Sequence, residues 1–321
     1  MEKFFKKDSF WEFYGITNEN DFITQISLEN KYHDNLPKDI VEGFETVIQL
    51  LNLSYFHSNL LDEAVTKALV TIETGIKIKA KELGIELKEL SKKKGIIKEK
   101  RLFRLIEEVL KVTGQEHLKP DFDRARSMRN RRLHIDSHFF NGLLGYPRRN
   151  IKSFINLMNQ IFLPVDKINE INELQSVLDK NVEEMKDDLY ILEFNKKKVL
   201  IDEVYKIQYI TDGKVKLLIA FMNPVINNPK EYYNTNQFNK PLVLAIKDFS
   251  INDNSIEGLD LKEEKISLFK NEKDSNKITY NEYLKEIKEV SEERLDVHLA
   301  VVRQQYPWRF EEIIYENCWN K

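Results

Sequence analysis

The strongest constraint on this 321-residue chain is a change in the period of its apolar pattern near Asp188. Before that point apolar residues return every three or four positions. Leu61, Ala64, Val65, Ala68, Leu69, Ile72 and Ile76 make one such stripe, and Ile151, Phe154, Ile155, Met158, Ile161 and Phe162 another. That spacing buries one face of a helix. After Asp188 the period falls to two, as in Leu189 to Phe194 and Val199 to Ile210, which is the spacing of half-buried strands. The pattern predicts a two-domain α+β chain: an N-terminal all-α helical bundle, then a small antiparallel β-sheet domain with a packed helix. The expected boundaries are 1–165 for the bundle with an aromatic N-terminal arm, 166–188 for an acidic linker helix, and 189–321 for an α+β accessory domain.

Within the first part a short helix is expected over Asp8–Tyr14, then helices over about 37–56, from Leu61 towards Gly84, and over Arg101–Val112. Gly84 and Gly114 are suitable stops. A fourth long helix should start near Asp121 or Asp123, either a good N-cap, and a fifth at Asn150. Residues 77–104 hold eleven Lys or Arg against four Glu and read as a basic loop around Lys92-Lys93-Lys94 and Gly95. Residues 166–193 carry nine acids against three bases on an amphipathic pattern. In the second part Thr211-Asp212-Gly213-Lys214 signals a hairpin. Further strands are expected over 215–221, 241–251 and 265–269, with a loop over 223–239 and a turn over 253–258. One helix is expected from Thr279, with Glu282 completing a capping box, to about Gln305.

Composition narrows the class. Charged residues make up 32% and apolar residues 41%, the balance of a globular chain, and the net charge is only -3. A lone cysteine, Cys318, excludes a disulfide framework and suits a reducing compartment, so a cytoplasmic location is expected. No apolar run approaches the length of a membrane span, and no membrane partner is expected. The start of the chain has neither a long apolar core nor a small-residue cleavage site, so no signal peptide is expected.

Against that even charge one stretch stands out. Arg126-Ser-Met-Arg129-Asn130-Arg131-Arg132-Leu133-His134, running on to His138, packs four arginines, an asparagine and two histidines into thirteen residues. Arg129-Asn130 followed by His134 resembles the Arg-x(4–6)-His signature of the HEPN superfamily, in which the first spacer residue is often Asn. The resemblance covers about residues 40–165. It implies a helical domain that acts as a metal-independent endoribonuclease of toxin, antiphage or RNA-processing systems, or one that only binds nucleotides or RNA.

The chemistry suits the residues. A base removes the proton of a ribose 2′-OH, the oxygen attacks the adjacent phosphate, and a cation stabilises the resulting charge. His134 has a pKa near neutrality and fits the first task. Arg129 presents a planar fork that keeps its charge and fits the second. Asn130 would orient either side chain or hold a phosphate oxygen. Arg124, Arg126, Arg131, Arg132, His138, Arg148 and Arg149 are the candidate RNA contacts. His134 and His138 are four apart, but the intervening residues lack the Glu of His-Glu-x-x-His and no third ligand is evident, so no metal and no cofactor are expected.

Geometry adds a complication. Five positions along a helix turn a side chain by roughly 140°, so Arg129 and His134 do not share a face of a regular helix. The helix ends near Leu133, or Arg129 reaches round on its stem, or two copies meet across a dimer, as the resemblance implies. Apolar candidates for such a seam are Leu133, Phe139, Phe140 and Leu143. The leading expectation is an endoribonuclease acting on RNA as a homodimer, with an antitoxin or trigger protein as a further partner. A non-catalytic RNA- or nucleotide-binding module and a dimeric protein-interaction scaffold are the alternatives.

Overall fold

The computed structural model describes residues 6–90, 96–133, 145–186, 188–235, 242–252 and 255–319, with the backbone alone at 132, 133, 145 and 146. The chain forms two compact units, Met1–Ile168 with Trp319–Lys321, and Asn169–Cys318.

The first unit opens on a 3-10 turn, Ser9–Tyr14, capped by the Asp8 side chain. Trp11 there is fully buried and donates from Nε1 to Ser54 O at 2.9 Å. Helices follow at α1 (Glu19–Gln25), α2 (Lys38–Leu53) and α3 (Leu60–Glu82). The long α3 is the hub: it packs against α2 and against α4 (Leu102–Thr113), α5 (Lys119–Leu133) and α6 (Gly145–Ile161). Small residues let it come close. A Cβ on Gly43 of α2 would lie 2.8 Å from Thr71, and one on Gly75 would lie 2.5 Å from Met158 Sδ.

The expectation of an all-α N-terminal domain is corrected here. Between α3 and α4 lies a two-stranded antiparallel sheet, β1 (Lys88–Leu90) and β2 (Ile97–Glu99), in register Lys88↔Glu99. Neither strand has a buried residue, so no inside–outside alternation marked it, and its lysines read as loop. Two helix starts also move. α5 begins at Lys119, which places Asp121 in its first turn, and α6 begins at Gly145, which places Asn150 inside the helix and buried. His33 is buried. Its Nδ1 accepts from the Asn35 N–H at 3.1 Å, so Nε2 carries the proton and donates to Asn159 O at 2.7 Å.

Helix α7 (Val165–Met185) spans the division between the units. The second unit is a closed six-stranded antiparallel barrel rather than a small sheet. Its strands are β3 (Tyr190–Phe194), β4 (Lys197–Thr211), β5 (Lys216–Pro224), β6 (Leu242–Asn252), β7 (Ser255–Leu259) and β8 (Lys265–Lys270). Neighbours in sequence pair in space, and β3 closes the ring on β8 through Leu192↔Leu268. Closure leaves few open edges. β4 runs beyond its pairing with β3, and Gln175 of α7 bonds to that open stretch. Its amide accepts from the Tyr209 N–H at 3.0 Å and donates to Ile207 O at 2.9 Å.

Residues 253–258 were expected as a turn, yet β7 starts at Ser255. The glycine that suggested the turn serves close approach instead. A Cβ on Gly258 would meet Ile246 Cγ2 at 2.5 Å and Lys247 O at 2.8 Å, where β6 bulges between Lys247 and Ser250. The expected single helix from Thr279 is two, α9 (Asp274–Ile287) and α10 (Glu292–Asn317), and α8 (Pro229–Asn234) stands in the expected loop. Thr279 lies inside α9, where its hydroxyl donates to Ser275 O, so the capping box is not used. Among the described residues no helix is long and apolar enough to cross a membrane.

Candidate functional site

Helix α5 carries the arginine-rich stretch. Phe122 and Ala125 anchor it in the first unit, and most of its other positions are polar. The arginines therefore emerge on the sides of the helix, and their partners differ by side.

One side faces α3 and α4. Arg129 Nη2 lies 2.8 Å from Glu73 Oε2 of α3, and Glu73 Oε1 takes Lys77 Nζ at 2.8 Å. The Glu73 side chain is 20% exposed and that of Arg129 31%, so the pair is sheltered but open to solvent. Arg129 Nη1 is 3.5 Å from Asn130 Oδ1, the outer limit of a hydrogen bond. One turn earlier Arg126 contacts Asp123 at 3.2 Å, and its guanidinium lies 6.0 Å from the centre of the Phe103 ring of α4. Arg104 approaches the same ring at 5.9 Å and is ion-paired with Glu89 of β1. Glu89 also takes Lys98 of β2 at 3.1 Å, and these partners hold its carboxyl below the usual range against a smaller opposing effect of burial.

The other candidates are placed differently. Arg124 turns to α6, donating to Ser153 Oγ at 2.6 Å, with Asp121 at 3.2 Å. Arg148 of α6 donates to Ser27 O at 3.3 Å. Arg131 and Arg149 are exposed. His134 and His138, together with Phe139, Phe140, Leu143 and Lys92 to Gly95, lie outside the described residues. Of Arg132 and Leu133 only the backbone is described. The structure thus brings Arg126, Arg129 and Asn130 to one side of α5 and sets Arg124 on another.

Glu73 borders the α3 stripe in the sequence. Its partner proves to be the motif arginine. Lys77 was not singled out, although Glu and Lys four apart on a helix are an ordinary local signal. Phe103 carried no sequence signal beyond its basic neighbour Arg104.

The second unit holds a cleft of about 790 Å³ between hairpin turns, lined by Glu193, Asn195, Lys196, Lys262, Glu264, Lys265 and Ser267. It includes none of the motif residues. Among the described residues no group of three or more His, Cys, Asp or Glu is placed to hold a metal ion. Cys318 is fully buried, and burial raises its thiol well above the usual range. No protein-family model, curated protein or solved structure matches this chain.

Proposed function

We propose that this protein is a metal-independent endoribonuclease of the HEPN type, with His134 as general base and Arg129 on the scissile phosphate. The observation that carries the reading is the anchoring of Arg129. Glu73 holds Nη2 at 2.8 Å while the side chain stays 31% exposed. A guanidinium fixed by one carboxylate still has N–H donors for a phosphate, and its fixed direction lowers the cost of ordering it. Asn130 beside it adds an amide to the same rim. RNA is the substrate, and the second unit would select a partner or sense a trigger in a toxin or antiphage setting in the cytoplasm.

The test is incubation of purified protein with total RNA in EDTA, beside His134→Ala. Cleavage by the wild type with chelator present, lost in the variant, supports the reading. Cleavage that needs a divalent cation overturns it. A second reading, binding without cleavage, draws on the same ion pair, since Glu73 offsets part of the positive charge of Arg129. RNA bound but never cut by the wild type would favour that reading.

A homodimer with a composite site belongs to the proposal, because it would bring each His134 to the opposite Arg129. Sedimentation should give a dimer for the wild type and a monomer, folded and inactive, for Phe139→Asp/Phe140→Asp. A monomeric wild type that cuts RNA would remove the dimer and leave the chemistry.

A further inference from the structure

We propose that Phe103, with the guanidinium groups of Arg104 and Arg126 beside it, forms the stacking platform for an unpaired base of the RNA, next to the phosphate held at Arg129. This inference rests on the ribonuclease reading and names the form of its substrate: a single strand whose base is splayed onto protein.

Three observations converge. The Phe103 ring has two guanidinium groups within about 6 Å of its centre, at 5.9 Å and 6.0 Å. Both arginines are held in place: Arg104 by Glu89 of the β1–β2 sheet, Arg126 by Asp123 on its own helix. Each keeps an exposed surface, with side chains 51% and 34% accessible. Guanidinium and phenyl planes are the two surfaces on which single-stranded bases stack, and they do so for any base because each has a π-face.

Position supports the assignment. Arg126 and Arg129 are three residues apart on α5, roughly 4.5 Å along its axis, and so are neighbours on one side. A phosphate at Arg129 and a base at Phe103 and Arg126 lie within the span of one nucleotide. The arrangement also gives the β1–β2 sheet a task. It has no buried residue of its own, and Glu89, held by Lys98 across the strands, fixes Arg104.

The measurement is fluorescence anisotropy of full-length protein with a short single-stranded 2′-fluoro oligonucleotide, which keeps bases and phosphates but lacks the attacking hydroxyl. Phe103→Leu should weaken binding about tenfold and Phe103→Tyr should restore it, since leucine fills similar space without a π-face. The salt dependence of Phe103→Leu should match the wild type, whereas Arg129→Gln, which removes the phosphate contact, should flatten the log–log slope by about 0.7. An abasic site that weakens the wild type should not weaken Phe103→Leu further. Wild-type affinity in Phe103→Leu overturns the platform while leaving the ribonuclease reading intact, and equal losses in the Leu and Tyr variants show packing rather than stacking and overturn it too. A wild type that binds no single strand defeats the ribonuclease reading itself, and the platform with it.

Discussion

Two carboxylates in this molecule are built from the same kind of parts and used in opposite ways. Glu73 in the first unit sits beside two cations, Arg129 and Lys77, at 2.8 Å each, on a surface that water reaches. Asp202 on β4 of the second unit is wrapped by neutral donors: Tyr280 Oη at 2.8 Å, Tyr283 Oη at 3.1 Å and Asn223 Nδ2 at 3.0 Å. Burial, with the Asp202 charge as a lesser cause, pushes both tyrosine hydroxyls upward, so they remain donors. An ion pair in water contributes little to stability and leaves the cation available for a ligand. A half-buried carboxylate with three hydrogen bonds ties α9 to the barrel, and removing it strands its donors. The first arrangement suits a site and the second a strut.

The largest effect should fall on the site side. Arg129→Gln should lower RNA cleavage by about a thousandfold with a melting temperature within a few degrees of wild type. A variant that loses activity only in proportion to lost folded protein would make Arg129 structural and break the contrast. On the strut side, Asp202→Ala should cost about 2 kcal/mol in urea unfolding, whereas Glu73→Ala should cost less than about 1 kcal/mol. Equal costs would show that the two carboxylates do not differ in kind. Glu73→Gln should reduce cleavage about tenfold by loosening Arg129, through kcat rather than KM. An unchanged kcat would remove Glu73 from the positioning role.

The smallest effect is a pH dependence in the second unit. His298 of α10 is buried against the rings of Tyr232 and Tyr233 at 5.6 Å and 4.8 Å, and burial lowers its pKa from 6.5. The folded state therefore disfavours the proton that the unfolded chain takes up. The stability this contributes is complete above about pH 6.5 and is lost as pH falls through the depressed folded value. Glu203, whose carboxyl burial raises, with Asp202 adding to it, titrates with the opposite sign. The urea midpoint of His298→Phe should thus fall less than that of the wild type between pH 7.5 and pH 5.5. Identical falls would assign the titration to other groups.

Local pattern made much of this legible. The α3 stripe from Leu61 to Ile76 and the α6 stripe follow from side-chain period alone, because burial of one face is a local property of spacing. The motif helix was legible as well, although it starts at Lys119 rather than near Asp121 or Asp123. The β1–β2 sheet was not, since strands exposed on both faces have no alternation to read. Gly258 misled, because a residue that permits a turn equally permits close approach, and only the bulge in β6 decides between them.

The sequence by itself determined the change from helix to strand near Asp188 and the concentration of arginines on one helix. Tertiary structure decided which arginine does what. Arg124 and Arg126 are two residues apart in one basic run, yet the first is spent on Ser153 of α6 and the second lies by Phe103 of α4. It also decided that Glu73 meets Arg129 and that the strands close into a ring through β3 and β8. Spacing along the chain sets the direction of a side chain from its own element. What it meets there depends on residues tens of positions away, whose approach is fixed by the packing of the elements that carry them.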